Sequence, residues 1–129
     1  MAQPQDLLYS KEHEWVKIDG DTATVGITDY AQNSLGDIVY VELPKVGATL
    51  AQFGNAGVIE SVKAVSDLFT PVGGEVSEVN GALENDPALV NREPFSGGWL
   101  FKLKLASASE ADHLLSPASY DQLLAEDNH

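Results

Sequence analysis

Two short β-forming segments with small and polar residues between them constrain the fold of this chain most strongly. The segments are Val58–Val62 and Leu68–Val72, and Lys63 lies between them. This pattern predicts a β-hairpin whose tip presents the lysine to solvent. Most exposed lysines are ordinary surface charges. The hairpin by itself therefore assigns no function to Lys63.

Further strands are predicted on both sides of the hairpin. Trp15–Ile18 and Thr22–Ile27 flank an Asp-Gly-Asp turn, which predicts a second hairpin. Ile38–Leu43 is a continuous apolar-rich run, which predicts a strand buried on both faces. Glu75–Val79 and Trp99–Leu105 alternate between apolar and polar residues. The chain is therefore predicted to be mainly β.

Short helices are predicted between and after the strands. Thr28 is an expected N-cap for a helix over residues 29–35, and Asp86 followed by Pro87 predicts one or two turns within residues 80–91. Ser107 and Glu110 predict a capping box for residues 108–115. Ser116 followed by Pro117 predicts a second C-terminal helix, to about residue 125. The C-terminal apolar residues at helical spacing are expected to pack on the β core; they are Leu114, Leu115, Tyr120, Leu123 and Leu124.

Composition excludes several classes of function. A chain of 129 residues is expected to form one domain, residues 1–129. Its formal charge of -13, from 20 acids and 7 bases, argues against binding to nucleic acid or to anionic membranes. The absence of cysteine excludes disulfides and thiolate metal sites.

Targeting segments and metal motifs are not found either. No apolar run is long enough for a membrane span, and residues 1–8 carry no positive charge. We expect a cytoplasmic bacterial protein, or one of the mitochondrial matrix if a transit peptide has been removed. His13 lacks a second histidine four positions later, and His113 and His129 have no partner at ligand spacing. We therefore expect no metal site.

Several separated motifs resemble one family. Residues 60–64, Glu-Ser-Val-Lys-Ala, are followed by Pro-Val-Gly-Gly-Glu-Val at residues 71–76, as in a lipoyl-lysine hairpin. Further motifs of the same family are similar, in the same order, to residues 9–16, 25–32, 35–44, 79–80 and 98–102 and to Pro94. The chain thus resembles the H proteins of the glycine cleavage system. The resemblance implies a barrel-sandwich hybrid fold with short helices and a C-terminal helical segment.

The resemblance implies a carrier rather than an enzyme, with no catalytic residue of its own. Lipoate would be attached covalently to Lys63 by a lipoate ligase or an octanoyltransferase. The arm would take the aminomethyl group of glycine from glycine decarboxylase (the P protein, which uses pyridoxal phosphate) to the tetrahydrofolate-dependent aminomethyltransferase (the T protein). Dihydrolipoamide dehydrogenase (the L protein) would then reoxidise it. We expect the carrier to be a monomer.

Five further residues are implied as contacts. The resemblance places Glu14 and Asp67 where carboxylates would hold the protonated amine of the loaded arm in a cleft, and Glu12 is a third candidate beside them. Glu60 and Ser61 are candidates for recognition of the lysine hairpin by the lipoylating enzyme.

Four alternatives were considered. A biotinyl carrier is disfavoured because Val62 and Ala64, rather than methionines, flank the lysine. A lipoyl domain of a 2-oxoacid dehydrogenase would have a mobile linker, which is not found here. An enzyme using paired carboxylates lacks a recognisable pair. A storage or relay role, in which lipoate is passed to other lipoyl-dependent enzymes, stays open.

Overall fold

Two antiparallel sheets form the framework of the protein. The computed structural model describes residues 6–127. Residues 1–5, most of the N-terminal segment expected to lack a targeting signal, and residues 128–129, which include His129, lie outside the described residues. In chain order the strands are β1 Leu8–Tyr9, β2 Glu14–Asp19, β3 Thr22–Ile27, β4 Ile38–Glu42, β5 Thr49–Leu50, β6 Asn55–Ser61, β7 Val65–Phe69, β8 Gly74–Val79 and β9 Phe101–Leu105. One sheet has the order β1-β2-β3-β9-β8-β5 and the other β4-β6-β7.

The main core is formed by the inward faces of the two sheets. Val25, Phe101 and Leu103 of the larger sheet are fully buried, and Ile59 and Leu68 of the smaller sheet are nearly so. Alternate residues of a strand point to opposite faces. Because Ile59 and Leu68 point inward, the residues adjacent to them in sequence point outward. These residues lie on β6 and β7, the two strands of the lysine hairpin.

Three α-helices cover the ends of the sheets. They are α1 Asp29–Leu35, α2 Leu89–Arg92 and α3 Pro117–Asp127, with two 3₁₀ helices at Gly81–Glu84 and Ala108–His113. As predicted, Thr28 is the N-cap of α1, and its Oγ1 accepts a hydrogen bond from Ala31 N at 3.2 Å. Gly36 ends α1 with a φ of 80°, which favours glycine.

The predicted packing of the C-terminal apolar residues on the β core is confirmed, but Leu114 and Leu115 lie before α3 rather than in a helix. Tyr120 of α3 is fully buried and stacks on Tyr9, with ring centroids 4.7 Å apart. Its hydroxyl lies 2.7 Å from Thr28 Oγ1 and 2.8 Å from His13 Nδ1. Because Thr28 caps α1, this hydroxyl links the C-terminal helix to the helix that precedes β4.

The expectation that residues 38–43 form a strand buried on both faces is wrong. Val39 and Tyr40 are about half exposed, at 53% and 50%. The physical reason is the position of β4, which is an edge strand of the three-stranded sheet. An apolar run does not distinguish an edge strand from a central one.

The capping box predicted at Ser107 is also wrong. The side chain of Ser107 makes no capping hydrogen bond, and residues 108–113 form a 3₁₀ helix. The Glu110 carboxylate accepts instead from Gly73 N at 2.7 Å. A long-range contact with the turn before β8 has replaced the local one.

The Tyr120 hydroxyl is expected to stabilise the fold measurably. Tyr120→Phe keeps the stacked ring but removes two hydrogen bonds, one buried and one partly buried, so we expect the free energy of unfolding to fall by about 1 to 2 kcal/mol. Urea denaturation measures this change. Ser119→Ala, one position earlier on the exposed side of the helix, is the control and should change stability by less than about 0.5 kcal/mol. Equal stability of the two variants would contradict this role of the hydroxyl.

Candidate functional site: the lysine hairpin and its cleft

The hairpin formed by β6 and β7 ends in a three-residue tip. Glu60 pairs with Val65 as the last strand pair, and residues 62–64 connect the strands. The tip is thus shorter than predicted, because β7 begins at Val65 rather than at Leu68. Ser61 N donates to Ala64 O at 2.8 Å, and Ser61 Oγ accepts from Ala64 N at 3.1 Å and from Lys63 N at 3.3 Å. Ser61 therefore holds the backbone of the tip in one conformation.

Lys63 is exposed at this tip, as predicted. Its stem lies along the segment that follows α1: a methyl group built on Gly36 would be 3.4 Å from Lys63 Cε. Val62 N also donates to Asp37 O at 3.0 Å. The backbone N–H of the lysine is hydrogen-bonded and its side chain is exposed, which is the presentation that an acylating enzyme requires.

Apolar and acidic side chains share the outward surface around Lys63. Val62 and Val65, on either side of the lysine, are each 69% exposed. Tyr40, Glu60 and Val65 are cross-strand neighbours and so form one row on the same face of the sheet. Glu60 is partly buried in this row. The two residues expected to serve recognition therefore have different positions: Ser61 shapes the backbone of the tip, and Glu60 lies on the outward surface next to it.

A cleft of about 450 Å³ lies at the far end of β7 from the tip. Four separate segments build it: the loop before β2, the turn before β6, the end of β7 and the residues before α3. Its lining residues are Ser10, Lys11, Glu12, Phe53, Phe69, His113 and Leu115. Three of the seven are apolar, namely Phe53, Phe69 and Leu115, and the others are polar or charged. The cleft therefore suits an aliphatic arm with a polar end.

Phe53 and His113 in this cleft were not predicted from the sequence. Phe53 is 47% exposed and has a φ of 64°, in the left-handed region that a phenylalanine seldom adopts. Its N–H donates to Thr70 O at 2.7 Å. A bulky residue in this conformation next to a cleft marks a constrained position. The signal available in the sequence was an aromatic residue directly before Gly54.

The structure separates the three candidate carboxylates. Glu12 is exposed and lines the cleft. Asp67 is exposed on β7, two residues before Phe69 and hence on the same face, between the tip and the cleft. Glu14 is only 3% exposed and lies behind the cleft-lining Ser10, whose Oγ donates to Glu14 Oε1 at 2.6 Å.

Burial makes Glu14 an unusual acid. Loss of hydration raises the pKa of the Glu14 carboxyl from 4.5 to about 7, against the lowering effect of hydrogen bonds from Ser10 and from the backbone of Phe69. The negative charge of Glu12 raises it slightly further. Near neutral pH this carboxyl is therefore divided between its neutral and charged forms, and a nearby cation would favour the charged form.

Membrane-spanning helices and metal-binding clusters are both absent from the part of the chain that the structure describes. No helix within residues 6–127 is long and apolar enough to cross a membrane. Over the same range, no three or more side chains of His, Asp or Glu lie together in a way that would hold a metal ion.

The fold and the site define a class of protein: a small β scaffold that presents an exposed lysine at the tip of a hairpin, with an apolar cleft at the other end of the hairpin strand β7. Comparison with known proteins identifies the member of this class. The family model described as "Glycine cleavage H-protein" matches residues 7–127. The chain therefore belongs to the glycine cleavage H-protein family.

Individual relatives agree with this assignment. The chain is 56% identical over 126 residues to the glycine cleavage system H protein of Halothermothrix orenii, covering 98% of each sequence. It is 57% identical over 122 residues to that of Opitutus terrae, covering 94% of this chain and 96% of the relative. The crystal structure of a glycine cleavage system H protein from Mycobacterium marinum superposes with a TM-score of 0.85 at 36% identity, covering 98% of this chain and 100% of that one.

Membership confirms three predictions. The fold is the mainly β barrel-sandwich type with short helices and a C-terminal helix. The protein is a lipoyl carrier of the glycine cleavage system, and it is not an enzyme.

The buried Glu14 should make stability depend on pH in a defined window. The unfolded chain loses this proton near pH 4.5, whereas the folded chain keeps it to about pH 7. The folded state therefore loses relative stability as pH rises from about 4.5 to 7, by on the order of 3 kcal/mol. We expect Glu14→Gln to lack this loss, so that its stability relative to the parent chain increases across the window.

Urea denaturation at a series of pH values measures this difference. Glu12→Gln removes an exposed carboxylate from the same loop and is the matched control, which should follow the parent chain. Parallel pH profiles of Glu14→Gln and the parent chain would show that the Glu14 carboxyl ionises alike in the folded and unfolded states.

Proposed function

We propose that Lys63 is the residue of this carrier to which lipoate is attached. The observation that supports this most directly is the geometry of the tip, where Ser61 fixes the backbone and leaves the lysine side chain exposed. Acylation replaces the ammonium by a neutral amide, and the formal charge changes from -13 to -14, since one of the positive charges counted in that total is lost. The attached dithiolane supplies a disulfide that accepts a group on opening and is restored by oxidation.

The partner enzymes follow from this proposal. They are glycine decarboxylase, the aminomethyltransferase and dihydrolipoamide dehydrogenase, which the arm would visit in that order, and a lipoate ligase or octanoyltransferase that modifies Lys63. The acidic charge of the carrier favours encounter with enzymes whose active-site entrances are basic. The carrier itself acts as a monomer, and the proposed compartment is the bacterial cytoplasm.

We further propose that the cleft is where the loaded arm rests between partners. Phe69 at the cleft is separated from Val65 near the tip by four residues of extended strand, or roughly 13 Å. The apolar side chains Phe53, Phe69 and Leu115 would cover the aliphatic part of the arm and exclude water. The function of this chain's residues is then to bind and shield the cargo, while the partners perform the chemistry.

The cargo amine would be held by carboxylates of this chain. Asp67 lies between the tip and the cleft, on the same strand face as Phe69. Glu14 contributes from behind Ser10, and an ammonium group in the cleft would favour its charged form. Glu12, at the cleft wall, is exposed as Asp67 is, so water screens the attraction of both for the amine. The family resemblance implies Glu14 and Asp67 as the contacts, and Glu12 is the additional candidate beside them.

Lys63→Arg should abolish lipoylation. Arginine keeps the positive charge but has no amine that can be acylated, and an exposed substitution of this kind should change stability by less than about 0.5 kcal/mol. The test is incubation with lipoate ligase, ATP and lipoate, followed by intact mass measurement. Lys45→Arg, at another exposed lysine, is the control and should accept one lipoyl group. Lipoylation of the Lys63→Arg protein would refute the assignment.

Removal of the proposed carboxylates should shorten the lifetime of the cargo. A charge-assisted hydrogen bond contributes about 1.5 to 3 kcal/mol, which corresponds to roughly 10- to 150-fold. We expect Glu14→Gln to accelerate decay of the loaded arm within that range, Asp67→Asn by less because Asp67 is exposed, and the double variant by more than either. Ammonia released from the purified loaded protein measures the decay. Glu12→Gln is the control. If Glu12→Gln alone accelerates the release, the wrong acid has been chosen, and if no variant does, the carboxylates do not retain the cargo.

A further inference from the structure

One asparagine outside the lysine hairpin makes three hydrogen bonds around the end of α1. Asn91, in α2, donates from Nδ2 to Gly36 O at 2.9 Å and to Gln32 Oε1 at 2.9 Å. Its Oδ1 accepts from Ile38 N at 2.9 Å. Both amide protons and the carbonyl oxygen of the side chain are thus in use. They fix a segment that is more than fifty residues away in sequence.

The segment held in this way is Gly36–Ile38, here named the corner. Gly36 and Asp37 lie between regular elements, because α1 ends at Leu35 and β4 begins at Ile38. Gly36 has a φ of 80°, so the chain turns sharply there. The side chain of Asn91 binds one backbone group on each side of Asp37, and it therefore keeps the carbonyl of Asp37 in a fixed direction.

The tip of the lysine hairpin rests on this corner. Val62 N donates to Asp37 O at 3.0 Å, Ser61 pairs with Ile38, and the stem of Lys63 lies against Gly36. Beyond Glu60 and Val65 the hairpin has no further pairing between its own two strands, and the ends of two-stranded hairpins fray readily. The corner supplies the lateral contact that the tip needs.

We propose that Asn91 is a positioning residue for the modification of Lys63. By holding the corner it keeps the hairpin tip in the one orientation that the lipoylating enzyme binds. This inference rests on the proposed function, since it concerns the same lysine. Loss of the asparagine would leave Lys63 chemically intact but distributed over several orientations. Because only one of these is competent for binding, the apparent affinity of the enzyme for its protein substrate would fall.

The matched control is Asn80, which makes an equivalent set of bonds elsewhere. Its Nδ2 donates to Gly97 O at 2.9 Å and to Trp99 O at 2.8 Å, and its Oδ1 accepts from Ala82 N at 3.2 Å. These partners lie outside the corner and outside the hairpin. Asn80→Ala and Asn91→Ala therefore remove similar interactions, but only the second should affect Lys63.

Amide hydrogen exchange gives the first readout and does not depend on lipoylation. In Asn91→Ala the amide of Val62 should exchange about tenfold faster, because its acceptor on Asp37 is no longer held. The amide of Ser61, bonded to Ala64 O within the tip, should keep its protection. In Asn80→Ala both amides should exchange as in the parent chain. Unchanged exchange of Val62 in Asn91→Ala, or an equal gain at Ser61, would overturn the proposal.

Steady-state lipoylation by lipoate ligase gives the second readout. We expect kcat/KM for the carrier to fall about fivefold to tenfold in Asn91→Ala, mainly through KM, with Asn80→Ala unchanged. A purely structural role would lower the folded fraction in both variants and leave KM of the folded protein unaltered, and this result would overturn the proposal. If the parent chain accepts lipoate at another lysine, the proposed function fails, whereas the exchange of Val62 still tests the role of Asn91.

Asn91→Asp provides a test of the hydrogen bonds themselves. Aspartate keeps the acceptor for Ile38 N, but in its charged form it places a carboxylate against the carbonyl of Gly36. Protonation restores one donor. In Asn91→Asp we expect the Val62 amide to become better protected from exchange as the pH is lowered and the new carboxyl takes up its proton. The comparison is with Asn91→Ala at the same pH. A constant ratio would contradict a role for donation to the corner.

Discussion

The antiparallel pairing of β6 with β7 determines where the functional groups of this protein lie. The register that sets Glu60 opposite Val65 places Lys63 at the tip, and the alternation of β7 directs Asp67 and Phe69 to one outward face while Leu68 enters the core. A shift of one residue would exchange these faces. Burial of Leu68 thus maintains the arrangement of lysine, carboxylate and cleft along one strand.

The second constraint is electrostatic. An acid as deeply buried as Glu14 is destabilising when charged, and its pKa of about 7 reflects that. Near neutral pH the carboxyl is only partly charged, and an ammonium group close to it would favour the charged form. The proposed cargo amine and the charge on Glu14 would therefore stabilise each other.

Much of this structure was accessible from the sequence because its determinants are local. The Asp-Gly-Asp turn, the Thr28 cap and the Ser116–Pro117 helix start all follow from short-range chemistry, and the flanks of Lys63 identified the family. The features that were missed are long-range. Glu110 contacts Gly73 rather than forming a capping box, β4 is an edge strand, and Phe53 and His113 meet in a cleft although they are distant in sequence. No local pattern encodes such contacts.

Lys63 is the proposed single attachment point of the lipoyl arm, and peptide mapping tests this assignment most directly. The unaltered chain, produced in cells that supply lipoate, is digested and its peptides are mapped by tandem mass spectrometry, with the intact mass giving the number of groups per chain. We expect one lipoyl group per chain, on the peptide that contains Lys63. Lipoate distributed over other lysines, such as Lys17 or Lys102, would contradict it.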